Sequence, residues 1–176
     1  MQTSTSRYLS LYFLLFSLLV LSSCDKGGET KSDPLVGKYK FVSAKFTADT
    51  GLSGFGNGAD ASAVIRNSIF TNITCTNSSN TALELRSNKQ LYFLCLTETN
   101  EVNGGTWSHE VETELVLNVI TPIGPVSVTV KSLVVSGNTL TGQFGPLPIP
   151  KNLFTGDVAD AGILIQTQAE LVFQKQ

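Results

Sequence analysis

One histidine, three cysteines and only 15% charged residues among 176 leave this chain few groups with which to do chemistry. The single imidazole, His109, stands beside Trp107 and Glu110. A Ser-His-acid triad needs a nucleophile and an orienting acid around that ring. The serines are many, but none sits in a nucleophile elbow. Glu110, Glu112 and Glu114 alternate, so they share one face of any strand there. A hydrolytic carboxylate pair needs a pocket that splits its pKa values, and three acids in a row read instead as a solvated face. Cys75, Cys95 and the distant His109 are too few donors for a zinc cage. Asp157 and Asp160 lack the rest of a calcium loop. Residues 51–58 (GLSGFGNG) have the glycines of a phosphate loop without its Lys-Ser/Thr. Nor is there a basic stripe for nucleic acid. These absences point away from an enzyme, a metal, a cofactor and a nucleic-acid partner.

Long apolar runs are scarce too. The longest, residues 8–21, is interrupted only by Ser10 and Ser17 and is preceded by Arg7. As a helix it would reach ~21 Å, short of a bilayer core of ~30 Å. A basic start, an apolar middle and small residues before a cut form the order of an export signal. The small residues are Ser22 and Ser23, just before Cys24.

Leu21-Ser22-Ser23-Cys24 resembles the lipobox of bacterial lipoproteins. The resemblance implies a thioether-linked diacylglycerol on Cys24, cleavage before it and usually acylation of the new amine. Several acyl chains on one residue hold a protein firmly to a membrane. The alternative is an ordinary export signal, or a membrane helix that happens to contain a cysteine. On the lipoprotein reading, residues 1–23 are a signal peptide that is removed and 24–34 a polar tether. Residues 35–176 are then one folded domain of a protein anchored in the cell envelope. Asp25 next to the lipidated cysteine retains lipoproteins at the inner membrane in some bacteria. That rule does not hold in every phylum, so the membrane stays open, with the outer one favoured.

Without Arg7 the mature chain has 11 basic against 14 acidic residues. With Cys24 lipidated, Cys75 and Cys95 remain in an oxidising compartment, where a pair of thiols is most simply a disulfide. The alternative is two buried free thiols. Asn72-Ile73-Thr74 and Asn77-Ser78-Ser79 fit the eukaryotic glycosylation pattern, but in a bacterial lipoprotein they read as polar loop residues.

Gly, Ser, Thr and Asn are plentiful and Leu-rich helical patterns rare, which indicates a β protein. Residues 35–46 alternate, with a slip of phase near 44–46 that predicts a bulge. The segment 60–70 places Ala61, Val64, Ile65 and Ile69 on one helical face behind Asp60, a candidate cap. Hairpins follow at 81–86 with 90–96, and at 104–109 with 113–120. Strands at 125–135, 139–144 and 163–173 complete the pattern, with 145–161 read as a Pro-rich, then polar, loop. The series predicts an all-β, antiparallel up-and-down barrel of about eight strands with one short helical insert, or else a β-sandwich.

Leu35-x-Gly37-x-Tyr39 resembles the Gly-x-Trp motif that opens the first lipocalin strand. Gly104-Gly105-Thr106-Trp107 before an alternating strand resembles bacterial lipocalin-like lipoprotein domains. Tyr39 replaces the family's tryptophan, and the final strand has no arginine to stack on it. The resemblance spans roughly residues 34–174 and implies a barrel that binds a small hydrophobic ligand without catalysis. By alternation the inward, ligand-binding set includes Tyr39, Phe41, Leu83, Leu85, Leu115, Leu117, Val126 and Val128. Residues 60–70 would lie over one mouth as a lid, hinged at Gly54, Gly56 and Gly58. The alternative function is a structural or protein-interaction lipoprotein with a filled core and no ligand.

Overall fold

The computed structural model describes residues 33–121 and 124–176, so the signal segment, Cys24 and most of the tether lie outside the described residues. Eight strands follow in chain order: β1 Gly37–Phe46, β2 Thr81–Leu85, β3 Gln90–Cys95, β4 Glu101–Val111, β5 Glu114–Thr121, β6 Gly124–Ser136, β7 Thr139–Pro150 and β8 Leu164–Lys175. Each pairs antiparallel with the next, and β8 pairs with β1, so the sheet closes as an up-and-down barrel. Closure removes most of the free sheet edge that invites aggregation.

Alternation decides which side chains face inward. Tyr39 and Phe41 point in from β1, Leu115 and Leu117 from β5, and Leu171 and Phe173 from β8, all nearly inaccessible. The register of β1 against β8 slips between Phe41 and Ser43. The bulge therefore falls at Val42, which turns outward, and not at 44–46 as the sequence pattern predicts. One extra residue flips the side-chain phase, which is why Ala44 and Phe46 are buried after Tyr39 and Phe41.

Two further expectations are corrected. Residues 145–150 continue β7 and do not form a loop. β7 pairs with β8 through Pro150↔Leu164, but with β6 only as far as Phe144↔Val130. Pro148 and Pro150, two apart, lack N–H donors on one edge. That edge faces β6, where no ladder has to be made, and prolines are tolerated at such an edge. Glu110, Glu112 and Glu114 do not share a strand face, because Glu112 lies in the turn that joins β4 to β5.

Glycine explains the 104–107 motif. A β-carbon at Gly104 would lie 2.7 Å from the Phe93 ring, and one at Gly105 only 1.9 Å from the backbone oxygen of Asn118. Gly105 also has φ +128, a value that L side chains rarely adopt. The two glycines let β4 press against β3 and β5, and they deliver Trp107 into the core.

The barrel ends differ. Asp33, the β2–β3 turn and the C-terminus gather at one end, which side chains close. Tyr39, Leu85, Leu91, Trp107 and Leu115 fill it. Tyr39 donates its hydroxyl to the Leu35 carbonyl at 2.9 Å. Burial and the negative charge of Asp33 push its pKa up to about 12. Lys175, in the last strand, stands over the Tyr39 ring, 5.6 Å from its centre. A lysine, in place of an arginine, thus supplies the cation over this ring.

The other end carries helix α1, Ser62–Ile69, and the short helix α2, Asn152–Thr155. The helix expected at 60–70 is present, and Val64 and Ile65 form its buried face. Asp60 stands one place before the capping residue Ala61, and its Oδ1 accepts from the Ser62 N–H at 2.9 Å. A bond from the Ser62 hydroxyl at 2.6 Å, and then that backbone bond, hold its pKa below the usual 3.8.

Candidate functional site: a cavity beneath α1

Helix α1 crosses the open end. At its start the Ala61 N–H donates to the Ala44 carbonyl on β1 at 3.0 Å, and Ser62 Oγ accepts from the Ala44 N–H at 3.0 Å. Just past its end, Asn72 Nδ2 donates to the Ile120 carbonyl near the tip of β5 at 3.2 Å. In an eight-stranded barrel β1 and β5 lie opposite one another, so the helix straddles the mouth. Phe70 packs edge-on against Phe41 and Phe93 beneath it.

The 49–60 segment is not a free hinge. Phe55 packs on Phe46 and Phe154, and the Thr50 hydroxyl donates to the Phe55 carbonyl at 2.9 Å. Cys75, on the return from the lid, is joined to Cys95 at the tip of β3. The disulfide expected from the cysteine count is therefore present.

Between α1, the β7–β8 connection and the strands lies a cavity of about 360 Å³. It follows the place where β6 and β7 part, with Val126 and Val128 on one side and Leu147 and Pro148 on the other. Phe93, Phe144 and Phe173 line it more deeply. The polar groups at its surface are neutral: Asn67, Ser68 and Thr71 from the lid, Thr121 from the tip of β5, and Asn152 from α2.

Of the eight inward residues expected to contact a ligand, Leu83, Leu117, Val126 and Val128 line the cavity. Tyr39, Phe41, Leu85 and Leu115 are buried in the same core but do not line it. Alternation tells which face a side chain takes, not how far along the barrel axis it sits. The lining from 147–153 escaped sequence reasoning because three prolines in six residues mimic a loop.

The remaining chemical candidates are used elsewhere. His109 lies at the closed end, with Nδ1 3.2 Å from Asp33 Oδ1 and Nε2 3.4 Å from the Glu112 carbonyl. Asp160 accepts from Lys151 at 3.0 Å and from Thr155 at 2.9 Å, and those bonds hold its pKa below the usual 3.8. Asp157 accepts from the Ala159 N–H. Among the described residues, no group of three or more His, Cys, Asp and Glu could hold a metal ion.

Fold and cavity define the class: a closed, eight-stranded up-and-down antiparallel barrel with one filled end and one lidded, apolar end. The chain matches no family model, no curated protein and no solved structure.

Proposed function

We propose that this chain is a lipid-anchored, non-catalytic binding protein of a bacterial envelope whose barrel takes one small hydrophobic molecule. The observation that carries the reading is the 360 Å³ apolar cavity beneath α1. Its volume falls near the lower limit of small-molecule sites, ~300 to 1,000 Å³. Small barrels either fill their interior or hold one ligand. Here the closed end is filled and the lidded end is not. A ligand that hid ~300 Å² of apolar surface would gain ~7.5 kcal/mol from burial, which is offset in part by the cost of ordering the ligand.

Anchoring rests on the lipobox-like Leu21-Ser22-Ser23-Cys24. The chain enters the barrel domain at Asp33, at the closed end.

The test is fluorescence of N-phenyl-1-naphthylamine, which brightens in apolar sites, added to the mature protein. Wild type is expected to bind it. Leu117→Trp and Val126→Phe, which fill the cavity, are expected to lose at least tenfold in affinity while keeping a cooperative thermal transition. A folded variant that still bound the dye as wild type does would defeat the reading.

A further inference from the structure

We infer that the cavity selects an uncharged amphiphile of about the size of decanol, with its hydroxyl or amide head at the mouth, over a carboxylate of equal length. This deepens the binding reading above and rests on it.

Three observations carry it. The first is size. At the ~30 Å³ that a water-sized group occupies, 360 Å³ holds about a dozen such groups. That is one short chain or one small ring system, not a two-chain lipid.

The second is the distribution of polarity. The deep wall is aliphatic and aromatic, and the polar lining comes from α1, its C-terminal end, the tip of β5 and α2, all at the mouth. Each polar lining side chain is an amide or a hydroxyl, and these can both donate to and accept from a ligand head group.

The third is charge. Among the described residues, no charged side chain lines the cavity. Two cations lie nearby in the chain, and neither lines the cavity. Lys151, beside Asn152, is bound to Asp160 at 3.0 Å. The Arg66 guanidinium of α1 lies over the Phe41 ring, 5.1 Å from its centre. Asp157 adds a further negative charge to the α2 connection. A carboxylate entering this mouth would surrender water and meet no cation in the described lining, a costly way to bury a charge. An alcohol exchanges one neutral hydrogen bond for another.

The test uses the mature protein loaded with N-phenyl-1-naphthylamine and competes it with 1-decanol or decanoate at pH 8. Decanol is expected to displace the dye at a concentration at least tenfold lower than decanoate. Decanoate should improve as the pH falls to 6, approaching tenfold per unit because only its protonated form fits, while decanol stays constant. Asn152→Lys and Ser68→Lys, each placing a cation at the mouth, should shift the ratio at least tenfold towards decanoate. Decanoate binding as tightly as decanol to wild type at pH 8 would overturn the selectivity while leaving the cavity a binding site. If neither the dye nor either competitor binds, the binding reading itself falls, and this inference with it.

Discussion

Asp33 and Lys89 are 56 positions apart in the chain, yet Lys89 Nζ lies 2.8 Å from Asp33 Oδ2. The same ammonium sits 3.9 Å above the centre of the Trp107 ring, whose Nε1 donates to the Arg86 carbonyl at 3.0 Å. Asp33 also accepts from the Leu35 N–H at 3.1 Å and faces His109. One carboxylate thus fastens the start of the domain to the β2–β3 turn and to β4, over the filled end of the barrel.

That contact makes stability depend on pH. Burial raises the Asp33 pKa, but hydrogen bonds from Lys89, the Leu35 N–H and His109 outweigh it and hold the carboxyl below its usual 3.8. A depressed carboxyl pKa stabilises the fold above the unfolded value, and the contribution is lost as pH falls through the folded one. Because Lys89 is half exposed, the pair is screened, and about 1 to 2 kcal/mol is the expected scale. Urea unfolding should therefore separate wild type from Asp33→Asn at pH 7, with the gap closing below about pH 4. A gap as wide at pH 3 as at pH 7 would show that the carboxylate is not responsible.

The Cys75–Cys95 bridge closes a loop of 20 residues that holds the return from the lid against β3. Replacing both cysteines by serine should cost about 3 kcal/mol, about 10 °C in melting temperature for a domain of this size. Reductant should lower the wild-type transition by a similar amount and leave the double variant unmoved. Equal melting of wild type with and without reductant would contradict this.

Gly105→Ala should be far worse than a surface substitution. Its new methyl would overlap the Asn118 carbonyl oxygen, and the backbone there has a positive φ. A loss above about 3 kcal/mol follows from overpacking combined with backbone strain. Circular dichroism melts would show it, with Gly137→Ala, whose β-carbon meets nothing within 4 Å, as the comparison for positive φ alone. If the two variants melted alike, close approach of β4 to β5 would not be the reason for glycine at 105.

Lipid attachment is tested without reference to the cavity. Cells fed an alkyne palmitate should label the wild-type protein and not Cys24→Ala. Equal labelling of both, or of neither, removes the anchor and leaves the barrel untouched.

Strand order and helix position were legible because each depends on local periodicity. Residues 81–86 and 90–96 bracket a polar turn, and 125–135 alternates through Val126, Val128 and Val130. Those patterns bury one face only if the segments become strands. The helical face at Ala61, Val64, Ile65 and Ile69 followed from spacing of the same local kind. The extension of β7 through Pro148 and Pro150 was not, since local rules read closely spaced prolines as a loop. Only the absence of a partner on the β6 side makes them compatible with a strand.

By itself the sequence determined the alternation of inward and outward residues, the eight-strand series, the short helix and the cysteine pair, because each depends on near neighbours or on a count. Tertiary structure alone decided that α1 straddles the mouth, that Lys175 covers Tyr39, and that Leu83, Leu117, Val126 and Val128 reach a cavity while Tyr39, Leu85 and Leu115 fill the closed end and Phe41 packs under Phe70. Those outcomes depend on height along the barrel axis and on where β6 parts from β7. Distance along the axis is set by register across all eight strands together, and no single segment of the chain carries it.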